Sequence, residues 1–373
     1  MIYFDTAASY PVLPEVRLTL SQAFEDHYAN SSSDHYLGVL ANSEVSRVRE
    51  QLADAINAYP SEVVFTSGAT ESNNTAFKSV LLGDKNLANK KHVVTSQIEH
   101  KCVFSLCDHL KTLGYEITYI KPNASGIIDA STVKNALRDD TALVSIMHVN
   151  NELGTINPIA DIGAVCAASN VLFHSDAAQS FGKVPIDVDD LNVDVMSFSA
   201  HKIAGPKGIG AIYIRDLRKK ELIPVIHGAG QEEGVRGGTV ASPLISAFGK
   251  AIELFPVCYT QFKLVKAKEY LLDGLMREAI LYKVNGDDQA VANCLSLTLP
   301  STNVALLMRD NEQVMCLSQG SACSSKEIQA SHVLTSIGLD PRLAEKTLRI
   351  SFTLDVSHRN VEVLISAIKK ASV

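Results

Sequence analysis

Three short stretches of this 373-residue chain carry side chains that could do chemistry together. FTSGATESNN at 65–74 reads as a strand ending in Ser67 and Gly68, followed by a helix that begins with Ala69, Thr70 and Glu71. Small residues at a helix start expose backbone N–H groups at the positive end of the helix dipole, which suits a phosphate. HSDAAQS at 174–180 follows an apolar run and puts Asp176 at the carboxyl end of a parallel strand, where α/β proteins bind ligands. SFSAHKIAGPKGIG at 197–210 sets Ser199, His201 and Lys202 just after another strand. Taken singly, these are a capped helix, an N-cap aspartate and a surface lysine. Taken together, they are what a pyridoxal phosphate enzyme needs: a lysine to bond the cofactor, an acid to keep its pyridine nitrogen protonated, and a helix start for its phosphate. No nucleotide motif competes, because GxxxxGK[ST] is absent and HGAGQEEG has Glu233 where GxGxxG requires its last glycine.

The elements that must position these residues alternate between residues 62 and 215. EVVFTS, HVVTS, YEITYI, ALVSIMHV, VLFHSD, VDVMSFS and GIGAIYIR read as strands. KCVFSLCDHLKTLG and ADIGAVCAASN between them have apolar residues at helical spacing and stop near Gly or Asn. This alternation predicts an α/β fold with a mostly parallel sheet. A helical pattern over 243–279, broken at Pro256, leads to strands at ANCLSLTL and TLRISF and a last helix at NVEVLISAIKKAS. We therefore expect a large domain over 1–255, with its first fifteen or so residues packing near a smaller α/β domain over 256–373.

Composition narrows the function classes. The chain is 46% hydrophobic and 20% charged, and 34 Lys plus Arg against 41 Asp plus Glu give a net charge of −7. That balance offers no general attraction to nucleic acid or anionic membranes, so neither is expected as a direct partner. The uncharged stretch at 289–308 contains Pro300 and many Ser, Thr and Asn, which is unlike a membrane span. The start MIYFDTAASYP lacks the basic and apolar regions of a signal peptide, and the expected location is the cytoplasm. Seven cysteines without a CxxC pair suit reduced thiols better than disulfides or a zinc site, and no metal is expected.

TSGATE, IEH, VNNELG, HSDAAQS, GK, SFSAHK, GPKGIGA, GVRGGT and GSAC occur in this order along nearly the whole chain. In that order they resemble the cysteine desulfurases of the NifS/IscS-like type, in the class V aminotransferase family of fold-type I pyridoxal phosphate enzymes. The resemblance implies a mostly parallel seven-stranded sheet in the large domain. It implies that Lys202 bonds the cofactor, Asp176 partners the pyridinium, Gln179 donates to the phenolic oxygen and His100 stacks on the ring. The phosphate would be held by Ala69, Thr70, Ser199, His201 and, across a homodimer, Thr239 of the other subunit. Asn151 and Arg349 would orient L-cysteine, the Arg349 fork gripping its carboxylate. Lys202 would remove the Cα proton and His100 would serve the substrate thiol. Cys323, in the Gly- and Ser-rich GSACSSKE, would take the sulfur as a persulfide and pass it to an acceptor protein.

The chain also departs from the family pattern. YFDTAASYP has Thr6 where YLDNAATTP has asparagine, and Ser9 and Tyr10 in place of the paired threonines expected near the substrate entrance. GVRGGT has Gly237 in a serine position. The chain stops at Val373, just after its last helix, which points to a specialised member serving DNA phosphorothioation, tRNA thiolation or dedicated iron–sulfur assembly, with the DNA-modification type favoured. A selenocysteine lyase or aminotransferase of the same class would share Lys202, Asp176 and the phosphate cradle without needing Cys323.

Overall fold

The computed structural model describes residues 1–259, 261–319 and 330–372, the side chains of 261 and 262 excepted. Its strands in chain order are β1 (Ile2–Tyr3), β2 (Val63–Thr66), β3 (His92–Ser96), β4 (Glu116–Ile120), β5 (Thr141–Ser145), β6 (Leu172–Asp176), β7 (Val195–Ser199), β8 (Gly210–Ile214), β9 (Lys283–Asn285), β10 (Cys294–Thr298), β11 (Met315–Cys316) and β12 (Thr347–Ser351).

Seven of these form one sheet in the order β2-β8-β7-β6-β5-β3-β4. Neighbours pair in parallel except β8, which runs against both β7 and β2. β3, β5, β7 and β8 are buried along their whole length, which is why apolar residues, with small Ser and Thr, dominate both of their faces. Successive residues feed opposite faces. Val94, Val144 and Met196 pack into one apolar core, while Val93, Leu143 and Val195 pack into another on the far side of the sheet. Each such side chain contributes about 1.5–3 kcal/mol through burial.

The chain leaves β3 outward to β4, then returns to the other side of β3 as β5 and continues through β6 to β7. The direction of winding therefore reverses between β3 and β5, and the crevice at their carboxyl ends is the place where open α/β sheets bind ligands. Because β2 lies parallel to β7 through the antiparallel β8, the ends of β2, β6 and β7 reach the same edge.

A second, antiparallel sheet has the order β12-β10-β9. Arg349 lies in the middle of β12, opposite Ser296 of β10. The N-terminal segment joins this part of the molecule to the large sheet. β1 pairs in parallel with β11, Asp5 bridges Ser351, and Tyr10 N donates to His201 O at 3.0 Å.

The two helices expected over 101–114 and 160–170 form over Lys101–Thr112 and Ile159–Ala168, as the apolar spacing requires. The long pattern after residue 242 differs from expectation at its break. The helix Ser242–Cys258 runs through Pro256, which sits in its last turn, and the following helix occupies Gln261–Arg277. A proline there removes only one of the terminal helical hydrogen bonds, so the helix continues two residues beyond it. No helix among the described residues is long and apolar enough to cross a membrane.

Candidate active site

The turn after β2 carries Gly68 at φ 146°, a backbone region that favours glycine, and the helix Ala69–Asn74 starts directly after it. A Cβ on Gly68 would lie 3.4 Å from Ser199 Oγ, and one on Gly210 of β8 would lie 2.6 Å from the Gly68 Cα. The close packing of β2, β8 and the end of β7 thus sets the helix start beside Ser199. Ala69 and Thr70 open that helix with unobstructed N–H groups.

Asp176 ends β6 and is 5% exposed. Its Oδ1 accepts from Ala178 N at 2.9 Å and its Oδ2 from Asn73 Nδ2 at 2.8 Å. Lys202 closes the turn after β7, and its Nζ donates to the carbonyls of Ala7 at 2.6 Å and Ala8 at 2.9 Å. Gln179 reaches the same Ala7 carbonyl through Nε2 at 2.7 Å. His201 Nδ1 lies 3.3 Å from Ser9 Oγ. Burial and the neighbouring charges of Lys202, Lys207 and Lys183 bring the His201 pKa down to about 4. Burial is the larger cause; of the lysines that add to it, Lys202 and Lys207 line the same cavity as the helix start, where an anion would offset their charge.

His100 caps the helix Lys101–Thr112, with Nδ1 accepting from Cys102 N at 3.3 Å. This bond fixes the tautomer that carries its proton on Nε2. Burial, ahead of the opposing effect of Asp176, holds its pKa below the ordinary histidine value, so the ring is neutral at neutral pH.

Arg349 is 4% exposed and reaches the cavity from β12. Nη2 donates to Asp5 Oδ1 at 2.7 Å and to Ser318 Oγ at 3.3 Å, and Nη1 donates to Asn151 O at 3.1 Å. Among the described residues, its Nε and the Asn151 Oδ1 are buried without a partner. A buried polar atom left unpaired costs about 1–3 kcal/mol, so this donor and acceptor mark where a polar ligand belongs.

One cavity of about 420 Å³ brings these groups together. Ala69 and Thr70 line it from the helix after β2, Asp176 and Gln179 from the end of β6 and the turn after it, Ser199, His201 and Lys202 from the end of β7, His100 and Asn151 from the segments after β3 and β5, and Arg349 from β12. Thr239 does not line this cavity; it is exposed, in the loop after the Ile226–Arg236 bridge. Cys323 lies outside the described residues. Of the departures from the family pattern, Ser9 is half-buried beside His201, whereas Thr6 and Tyr10 are buried away from any entrance. Thr6 Oγ1 donates to Phe352 O at 3.0 Å, and the Tyr10 ring packs edge-on to Phe255 at 5.1 Å. The expectation that Ser9 and Tyr10 both stand near the substrate entrance is therefore corrected for Tyr10, which, like Thr6, anchors the N-terminal segment instead.

Sequence reasoning missed Asn73, Asp5, Lys207 and Cys102. Lys207 and Cys102 line the cavity, while Asn73 and Asp5 hold Asp176 and Arg349. Asn73 carried a readable signal, being three residues after Thr70 and so on the same helix face. Asp5 carried none, because its partner is 344 residues away.

The cavity fits pyridoxal phosphate. Its helix start and electropositive edge match the phosphate, Asp176 matches a protonated pyridine nitrogen, and Lys202 is held by two carbonyls that a ligand could replace. The aminotransferase class-V model matches residues 2–364. The cysteine desulfurase IscS of Photobacterium profundum is 39% identical over 381 residues, covering 99% of this chain and 92% of that protein. A solved structure described as SspA in complex with cysteine is 44% identical and superposes with a TM-score of 0.85 over 94% of this chain and 99% of its own. The crystal structure of DndA from Streptomyces lividans is 37% identical, with a TM-score of 0.76 over 93% of this chain and 98% of its own. This chain belongs to the aminotransferase class-V family of pyridoxal phosphate enzymes, in its NifS/IscS-like cysteine desulfurase branch.

Proposed function

We propose that this chain is a cysteine desulfurase that converts L-cysteine to L-alanine and moves the sulfur first to Cys323 and then to an acceptor protein. The observation that carries the reading is the Arg349 guanidinium. It is nearly fully buried on the cavity wall, and among the described residues its Nε and the Oδ1 of Asn151, which lines the same cavity, have no partner. Together they offer a donor for an amino-acid carboxylate and an acceptor for an N–H group. The likeness to a protein solved in complex with cysteine supports the choice of amino acid.

Arg349 and Asn151 orient the substrate so that its Cα–H faces Lys202. Bound pyridoxal phosphate supplies the electron sink that accepts the pair left at Cα. Lys202 Nζ, released from the Ala7 and Ala8 carbonyls, takes that proton and later returns one. Asp176 holds the pyridine nitrogen's proton, and Asn73 and Ala178 N hold Asp176. Neutral His100, with Nδ1 accepting from Cys102 N, would stack on the cofactor ring and offers its Nε2 proton as a donor toward the substrate sulfur. The Cys323 thiolate attacks the substrate sulfur, so that a sulfur–sulfur bond forms as the carbon–sulfur bond breaks. L-cysteine plus the Cys323 thiol become L-alanine plus the Cys323 persulfide, with atoms and electrons balanced.

The working unit in this reading is a cytoplasmic homodimer in which Thr239 of each subunit completes the phosphate site of the other, consistent with its exposed position off its own cavity. The catalytic cysteine belongs to a C-terminal domain over 256–373. The acceptor is a dedicated protein of a DNA-phosphorothioation system, with tRNA thiolation and iron–sulfur assembly as the competing destinations.

Alanine formed from L-cysteine by purified protein with pyridoxal phosphate and a reductant tests the activity, with Cys323→Ser alongside. Alanine from the wild type alone supports the assignment. Equal alanine from the variant overturns the persulfide step. Yellow protein that makes no alanine overturns the substrate.

A further inference from the structure

The chemistry above leaves one buried ionisable side chain next to the cavity unused. Lys183 is 5% exposed, and among the described residues its Nζ has one hydrogen-bond acceptor, Gln179 Oε1 at 3.0 Å, and no carboxylate partner. The Tyr10 ring stands 5.5 Å from the same Nζ. Lys202, Cys294 and Tyr10 are the ionisable groups that face it, and Tyr259 shares the wall of a neighbouring cavity with it. Burial first, and Lys202 second, lower its pKa to about 7. An apolar side chain of similar length would fill this volume without that desolvation penalty, so stability alone gives no reason for a lysine here.

The Gln179 amide is held at both ends. Oε1 accepts from Lys183, while Nε2 donates to the Ala7 carbonyl, which also accepts from Lys202. In its ammonium form Lys183 has donors only, so it tolerates the amide oxygen and repels the amide NH2. Turning the amide over would set NH2 against the Lys183 ammonium and an oxygen against the Ala7 carbonyl.

We propose that Lys183 is a positioning residue that locks the Gln179 amide with its donor toward Ala7 and Lys202, making Gln179 an obligate hydrogen-bond donor to the phenolic oxygen of the cofactor. The proposal rests on the reading that Gln179 serves that oxygen. Lys183 touches neither substrate nor cofactor and acts through Gln179.

The test uses the yellow holoenzyme without cysteine, recording its visible absorbance against pH. A donor on the phenolic oxygen disperses negative charge, and without it the cofactor–lysine linkage keeps its proton to higher pH. Lys183→Met is expected to raise the midpoint of the colour change by half a unit or more, about a threefold change in proton affinity. Gln179→Leu should shift it in the same direction, and the double variant no further than Gln179→Leu alone. An unmoved midpoint in Lys183→Met overturns the proposal. Additive shifts also overturn it, because Lys183 would then act through its charge and not through the amide. If Lys183→Met fails to hold the cofactor, Lys183→Gln, whose amide permits both orientations, carries the same measurement and the same two outcomes. Because no cysteine is present, the result is independent of the desulfurase assignment.

Discussion

Asn73 Nδ2 donates to Asp176 Oδ2 at 2.8 Å, so the carboxylate at the end of β6 is held by the same short helix that opens the anion cradle after β2. Both residues are buried, and the Asn73 amide also lies 3.2 Å from Cys102 Sγ. Asn73→Ala removes one of two donors to this carboxylate, and hydrogen bonds to charged groups contribute about 1.5–3 kcal/mol. Asp176 is then held less firmly where the pyridine nitrogen would meet it, which weakens the electron sink. Alanine formation at saturating cysteine and cofactor is expected to fall at least about tenfold. A kcat within twofold of wild type would return Asn73 to a packing part.

Arg349 ties substrate binding to stability. It joins β12 to the N-terminal segment through Asp5, and to Ser318 and the Asn151 carbonyl. Arg349→Gln should raise the KM for cysteine about 10- to 100-fold, the equivalent of one charge-assisted carboxylate contact. It also leaves Asp5 without its cation, costing about 1–3 kcal/mol. Adding Asp5→Asn should restore part of the lost Tm without restoring KM. Recovery of KM in the double variant would mean that Arg349 acts on cysteine only by shaping the fold.

Acid should destabilise the protein through histidines that the sheet keeps neutral. His174 is buried between Ser145 Oγ at 2.8 Å and Ser197 Oγ at 3.0 Å, and burial lowers its pKa from 6.5 to about 4. Burial does the same to His148. Between these two values the unfolded chain binds the proton and the folded chain does not. The contribution is therefore complete above pH 6.5 and is lost as the pH falls toward 4. The loss is on the order of 1.4 kcal/mol per pH unit for each histidine. Buried Glu99 runs the other way. Its pKa is raised to about 8, so its neutral form favours the fold at low pH and the advantage is lost as the pH rises from 4.5 to 8. Comparing wild type with His174→Gln removes that offset. In urea unfolding at pH 7 and pH 5, the stability gap between them should narrow by about 2 kcal/mol, and a constant gap would show that His174 does not titrate between folded and unfolded states.

The large sheet was legible because most of its strands are buried and therefore read as short runs rich in apolar and β-branched residues, such as VVF in β2 and ALV in β5. β1, β9 and β11 were not, because strands of two or three residues carry no period to detect. Within the cavity, groups at the ends of long strands, Asp176 and Lys202, could be located from local pattern. The partners that hold them could not. Asp5 meets Arg349, and Ala7 meets Lys202, through contacts spanning 344 and 195 residues. Tyr10 misled for a related reason. Its position beside Ser9 suggested an entrance, but the ring turns into the core against Phe255 because the segment is pinned at both sides, by Thr6 on Phe352 O and by Tyr10 N on His201 O.

Two cysteines compete on paper for the sulfur. Cys102 lines the cavity and sits 3.0 Å from His100 Nδ1, a pairing that elsewhere activates a thiol. Here the environment opposes ionisation. Burial, then the nearby charge of Asp176, pushes its pKa up to about 12. At neutral pH only ~10⁻⁵ of it is thiolate, and only the thiolate attacks sulfur. His100 Nδ1 is also already accepting from Cys102 N. Cys102→Ala is therefore expected to keep alanine formation within about threefold of wild type, the size of a small packing change near a site, whereas Cys323→Ser should abolish it. Mass spectrometry after incubation with L-cysteine should find the added sulfur on the peptide containing Cys323 and none on the peptide containing Cys102. Sulfur on Cys102 in the wild-type protein, or loss of activity in Cys102→Ala with the cofactor still bound, would transfer the nucleophile's role from Cys323 to the cavity wall.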